Sequence, residues 1–184
     1  AAHGEVLLLH IAFALYNEET DEYFCLRDQF GTKPFYYYIT EDGKFLCATT
    51  IREIMAMDGF KKELNEKMLQ IYLTMTYTCG DETFFTGLKK LLPGRYLTYK
   101  NGELNIVRYW KPEFKPDNTK TLQEWADEIH ETFLNILPEI REEHEYAETF
   151  LSGGVDSSYV LGASDVTMSN SCGYDDSRLD ESGL

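Results

Sequence analysis

Between His10 and about Tyr109 the chain is interrupted every few residues by turn-forming clusters, and the runs between them are rich in tyrosine and phenylalanine. "HIAFALYN" is followed by "EETDE", "EYFCLRD" by "QFGTKP" and "FYYYIT" by "EDGK", and "FLCAT" closes the series. Short aromatic and β-branched runs bounded by Gly, Pro, Asn and Asp are strands joined by turns, because those residues supply the backbone angles a reversal needs. A meander built from these runs is expected. Further on, "LLPGRYLTYKNGELNIVRYW" reads as two strands: Pro93-Gly94 turns the chain into the first, and Asn101-Gly102 makes the hairpin between them. Tyrosines in such a setting pack across strands. Two stretches, "TIREIMAMD" and "NEKMLQIYLTM", carry apolar residues at helical spacing, and Asn65 is placed to cap the second.

The pattern changes at "KPEFKPDNTKT", where prolines and polar residues replace the strand-like runs. This places one domain at 1–114, a linker at 115–120 and a second domain at 121–184. The second opens with Leu122, Trp125, Ile129, Phe133 and Ile136 near one face of a long amphipathic helix, which Pro138 is expected to disturb. His130, on or beside that face, reads as a surface or hydrogen-bonded histidine. "YAETFL" is then a short buried strand, Ser152 to Val155 a loop, and "DSSYVLGAS" the start of a helix. Strand, glycine loop and helix make the first half of a parallel α/β unit, so the fold class is α+β followed by α/β.

Charge narrows the partners. Lys and Arg total 17 against 32 Asp and Glu, a formal charge of −15, so the field repels polyanions and neither nucleic acid nor an acidic membrane is expected to bind. The apolar opening "EVLLLHIAFAL" lacks a basic n-region and is too short to span a bilayer, so it reads as a core strand. Cys25, Cys47, Cys79 and Cys172 are scattered without a Cys-x-x-Cys pair, and are expected to be reduced and mostly buried.

"FLSGGVDSS" carries the clearest chemical signal. Adjacent Gly153 and Gly154 let the backbone approach a bulky anion and turn successive N–H groups toward it, and Asp156, Ser157 and Ser158 begin a helix whose positive end favours an anion. The lysine of a Walker A loop and the Gly-x-Gly-x-x-Gly of a dinucleotide fold are both missing. An ordinary Ser/Gly turn with Asp156 as N-cap fits the same residues.

Set in that context, Ser-Gly-Gly-x-Asp-Ser-Ser resembles the PP-loop of the ATP pyrophosphatases that cleave ATP between its α and β phosphates. Upstream, "FALYNEETDEYFCLRDQFGTKPFYYY" is similar to the class II, N-terminal-nucleophile glutamine amidotransferase pattern. "LTMTYTCGDETFFTGLKKLLPGRYLTYKNGELNIVRYWKPEF" resembles the segment of glutamine-dependent asparagine synthetases that leads into "RYW". The chain from about residue 10 onward thus resembles the asparagine synthetase B family. The resemblance implies a partial β-sandwich of the amidotransferase type followed by the start of a parallel-sheet ATP pyrophosphatase domain.

It also implies chemistry. ATP and aspartate would form β-aspartyl-adenylate and pyrophosphate, and ammonia from glutamine would attack the adenylate. Carried over by position, Ser152, Gly153, Gly154, Ser157 and Ser158 would grip phosphate and Asp156 would help hold Mg²⁺, while Phe150, Leu151 and Cys172 would flank adenosine. ATP, aspartate and glutamine are the implied small-molecule partners, the implied location is the cytoplasm, and a homodimer is allowed. The family's N-terminal cysteine nucleophile has no counterpart here, so no catalytic residue is assigned and the chain alone is expected to be inactive. Related enzymes acting on another carboxylate, such as β-lactam synthetases, and a non-catalytic β-rich interaction module are the alternative readings.

Overall fold

The computed structural model describes residues 11–143, 148–173 and 175, and the chain divides into two compact units, Ala1–Phe114 and Lys115–Leu184. The first unit begins with β1 (Ala12–Asn17) and β2 (Glu22–Arg27), then β3 (Tyr36–Ile39) and β4 (Phe45–Ala48). Two helices follow, α1 (Ile51–Met55) and α2 (Glu66–Met75), and then β5 (Lys89–Lys90), β6 (Arg95–Lys100) and β7 (Glu103–Arg108).

The strands make two antiparallel sheets, ordered β1-β2-β6-β7 and β4-β3-β5. This corrects the expected meander. The first four strands exist, but as two hairpins in different sheets, because β2 takes its second neighbour from β6, far along the chain, with Cys25 opposite Leu97. The hairpin β6–β7 is as expected: Asn101 (φ 52°) and Gly102 (φ 80°) both adopt the left-handed region that a two-residue reversal requires.

Cys25, Phe35, Tyr37, Phe45, Leu91, Leu97 and Tyr99 are buried together between the sheets. Alternation along β3 and β4 sends the next residues the other way, so Tyr38 and Leu46 join Ile54 and Leu88 in a second cluster beneath α1. The smaller sheet is thus covered on both faces, which explains the unbroken "FYYYI" run. Asp28 anchors one end of the first unit: its backbone carbonyl accepts from Gly31 (3.2 Å) and Gly94 (2.8 Å). Its Oδ1 accepts from the amides of Phe30 (3.0 Å) and Thr32 (3.1 Å).

Asn65 caps α2 as expected, its Oδ1 accepting from the amide of Met68 at 3.2 Å. Asn65→Ala should cost about 1 kcal/mol by leaving that amide without its partner, read as a lower urea midpoint at unchanged m-value. An unchanged midpoint would show that solvent substitutes for the cap.

In the second unit α3 (Leu122–Glu143) starts at reciprocal hydrogen bonds between Thr121 and Glu124 and runs through Pro138. The expected break does not occur. Proline removes the hydrogen bond to the carbonyl four residues back, that of Leu134, and here both residues are solvent-exposed, so water can reach the freed carbonyl. β8 (Thr149–Phe150), α4 (Val155–Ala163) and β9 (Ser169–Asn170) complete the chain, with β8 and β9 parallel. The expected buried strand is short, and Phe150 is 76% exposed, because among the described residues β8 has only β9 as a sheet neighbour.

The four cysteines are free thiols, but Cys79 and Cys172 are exposed, which corrects the expectation that they are mostly buried. Both lie outside the strands and helices, so nothing layers over them. No helix among the described residues is long and apolar enough to cross a membrane.

Candidate functional site

The loop that joins β8 to α4 rests on two long-range bonds at its base and is closed by short-range bonds within it. At its base the amide of Leu151 donates to Asn170 O (2.9 Å) and Ser171 Oγ donates to Leu151 O (2.8 Å), which ties the end of β8 to the end of β9. Gly153 then adopts φ 80°, the left-handed region open to glycine. Gly154 is the helix N-cap in extended conformation and makes no side-chain cap bond. Asp156 is therefore not the cap that the Ser/Gly-turn reading requires. It sits in the first turn of α4, exposed.

Among the described residues no side chain accepts from the first amides of α4, which stand at the positive end of a nine-residue helix. The hydroxyls of Ser152 and Ser157 lie 3.1 Å apart, the amide of Ser152 donates to Ser157 Oγ (3.2 Å), and Ser157 Oγ donates to Gly154 O (3.1 Å). These serines thus hold the loop closed on itself, whereas the amide of Ser158 donates to Gly154 O (3.1 Å) as part of the helix.

The structure brings most of the sequence-derived site residues together. Ser152, Gly153, Gly154, Asp156, Ser157 and Ser158 form the loop and first turn, and Phe150 and Leu151 lead into it. Cys172 is reached two residues beyond Asn170, which pairs with Phe150, so it follows the same carboxyl end of the parallel pair. Ligands of open parallel sheets sit at that end. Among the described residues no group of three or more His, Cys, Asp or Glu side chains could hold a metal ion. Of the acidic stretch "DDSRLDES", Asp175 is described and exposed, and the remainder lies outside the described residues.

His130 is the hydrogen-bonded histidine that its helix position suggests. Its Nδ1 lies 2.6 Å from the Tyr159 hydroxyl, and Phe133 meets the same tyrosine ring edge-on, so α3 and α4 are joined through Tyr159. No local pattern signals this pair, because the two residues are 29 positions apart.

The glutamine amidotransferase domain model matches residues 8–110, more than half of the chain. The chain belongs to the glutamine amidotransferase domain family. It is 30% identical over 150 residues to the glutamine-hydrolysing asparagine synthetase 3 of Bacillus subtilis, covering 81% of this chain and 24% of that protein. A putative glutamine-hydrolysing asparagine synthetase of Methanocaldococcus jannaschii is 27% identical over 158 residues, 82% of this chain and 30% of that protein. The amidase chry2 of Gibberella zeae is 32% identical over 156 residues, 82% of this chain and 22% of that protein. The chain spans between a fifth and a third of the length of these relatives. The matched family segment coincides with the two-sheet unit, and its antiparallel sheets with flanking helices make that unit α+β.

Proposed function

We propose that the chain is part of an ATP-dependent, glutamine-hydrolysing asparagine synthetase: the two-sheet unit belongs to an amidotransferase domain of N-terminal-nucleophile type, and residues from about 121 onward begin a PP-loop ATP pyrophosphatase domain. The uncapped start of α4 behind Gly153 carries this reading for the second unit. A triphosphate approaching there meets free amides, two glycines without side chains, and the hydroxyls of Ser152 and Ser157, whose mutual bonds it would replace. Ser158 would add a donor from the first turn. Magnesium, when bound with the nucleotide, neutralises the pyrophosphate that departs, and Asp156 would hold it together with phosphate oxygens, as suits an ion that keeps few protein ligands. Phe150, Leu151 and Cys172, at the ends of the parallel strands, would border adenosine.

Aspartate as the acceptor and glutamine as the nitrogen donor belong to the same proposal, supported by the names of the related synthetases; a cytoplasmic location and an allowed homodimer enter it from the family resemblance alone. The relative named an amidase favours a second reading, in which another carboxylate takes the place of aspartate.

Calorimetric titration of Mg·ATP into the chain tests the loop. Saturable binding is expected, about tenfold weaker in Asp156→Ala, which removes one charge-assisted interaction, and weaker again in Gly153→Ala, where alanine is strained at φ 80°. Absence of binding to the unsubstituted chain, or equal binding by all three, would remove the assignment.

A further inference from the structure

A row of like charges crosses the two-sheet unit and belongs to neither proposed half-reaction. In the larger sheet Arg27 stands opposite Arg95, and Arg95 stands opposite Arg108. Three arginines therefore occupy one row across β2, β6 and β7. Each is two residues from Cys25, Leu97 and Ile106, which form the parallel row further in, so all three point to the same face of the sheet. Like charges directly opposite on neighbouring strands destabilise a sheet, and a chain with formal charge −15 has no general shortage of carboxylates to separate them.

The row is not neutralised internally. Arg27 is occupied: Nε donates to Lys33 O (2.8 Å), one terminal nitrogen to Leu91 O (2.7 Å) and the other to Gly31 O (2.8 Å). Arg95 donates one terminal nitrogen to Pro93 O at 3.3 Å, and Arg108 donates Nε to Trp110 O at 3.1 Å. Among the described residues neither Arg95 nor Arg108 belongs to an ion pair. Both terminal nitrogens of Arg108 are thereby left for another acceptor. Arg108 also lines an open cleft of about 540 Å³ with Tyr109, Trp110, Lys111 and Glu113. Against the single Glu113 carboxylate the cleft and its neighbouring row present Arg108, Lys111 and Arg95.

The geometry points to a binding site for a small oxyanion, a phosphate or a carboxylate group, held by Arg108 and Lys111 in this cleft with Arg95 behind them. Guanidinium groups with free parallel N–H bonds match such oxygens in a bidentate fashion, and an anion seated there relieves the repulsion along the row. Trp110 forms one wall and Phe30 packs against it, ring centroids 5.3 Å apart, which keeps that wall in place. The strong negative charge of the whole chain opposes polyanions at long range but is screened beyond about 8–10 Å at physiological salt, so a small ion can still enter.

The test uses the chain carrying Trp125→Phe, so that Trp110 is the fluorescent tryptophan, titrated with inorganic phosphate and with citrate against sodium chloride at equal ionic strength. A saturable change beyond that of chloride is expected with at least one of the two, and which one responds distinguishes a phosphate from a carboxylate ligand. Arg108→Gln and Lys111→Gln, both at exposed positions and checked for fold by circular dichroism, should each weaken the response about tenfold. Arg95→Gln should raise Tm in chloride and reduce the Tm gain produced by the responding anion. Equal behaviour of phosphate, citrate and chloride, or a response unchanged in both Arg108→Gln and Lys111→Gln, would overturn the site.

Discussion

Gly94→Ala is expected to destabilise the two-sheet unit by about 3 kcal/mol or more, while Gly102→Ala costs about 1 kcal/mol. Both glycines have positive φ, 63° and 80°. A methyl group on Gly102 meets nothing within 4 Å, so that position feels the backbone strain alone. A methyl group on Gly94 falls 2.6 Å from the backbone oxygen of Trp110. That oxygen cannot retreat easily, because Gly94 O accepts from the amides of both Tyr109 (2.9 Å) and Trp110 (3.2 Å), and the Gly94 amide donates to Asp28 O (2.8 Å). Urea denaturation of the two variants side by side measures the difference. Equal losses would mean that the end of β7 moves aside at no cost.

The second large effect is at Asp28, which is 4% exposed. Burial pushes its carboxyl upward, but the surrounding amides of Thr32, Gly31, Lys33 and Phe30 outweigh this and hold it below the ordinary value of 3.8. Its folded pKa being the lower one, ionised Asp28 contributes stability that is complete above the unfolded value and is lost as pH falls through the folded value. Asp28→Ala should therefore cost about 3 kcal/mol at neutral pH, since it strands the turn amides. The gap between the variant and the parent should stay constant down to about pH 4 and narrow below it. Stability measured by urea from pH 7 to pH 3 decides: a gap that stayed constant throughout would show that Asp28 does not titrate with folding. Among the described residues its Oδ2 has no hydrogen-bond partner, so the stabilisation comes through Oδ1.

Much of the local structure is legible in the sequence. Asn65 caps its helix and Asn101-Gly102 makes its hairpin because a cap and a two-residue turn each depend on residues at most a few positions apart. The loop from Ser152 to Ser158 is legible for the same reason, since its bonds span five residues or fewer. Pro138 misleads, because its local penalty depends on whether water reaches the carbonyl it frees, and that is a matter of exposure. The exposure of Phe150 and Cys172 is likewise hidden, as burial belongs to neighbours rather than to residue type.

What the sequence by itself determined is the kind of each strong element, the turn chemistry and the loop's residue set, all consequences of backbone preferences and side chains close along the chain. What only the tertiary structure decided is the pairing of β2 with β6, the division of the strands between two sheets and the row of arginines on three strands. Those depend on which distant segments bury their apolar faces together, and strand runs of similar aromatic content satisfy several pairings until the whole core is assembled.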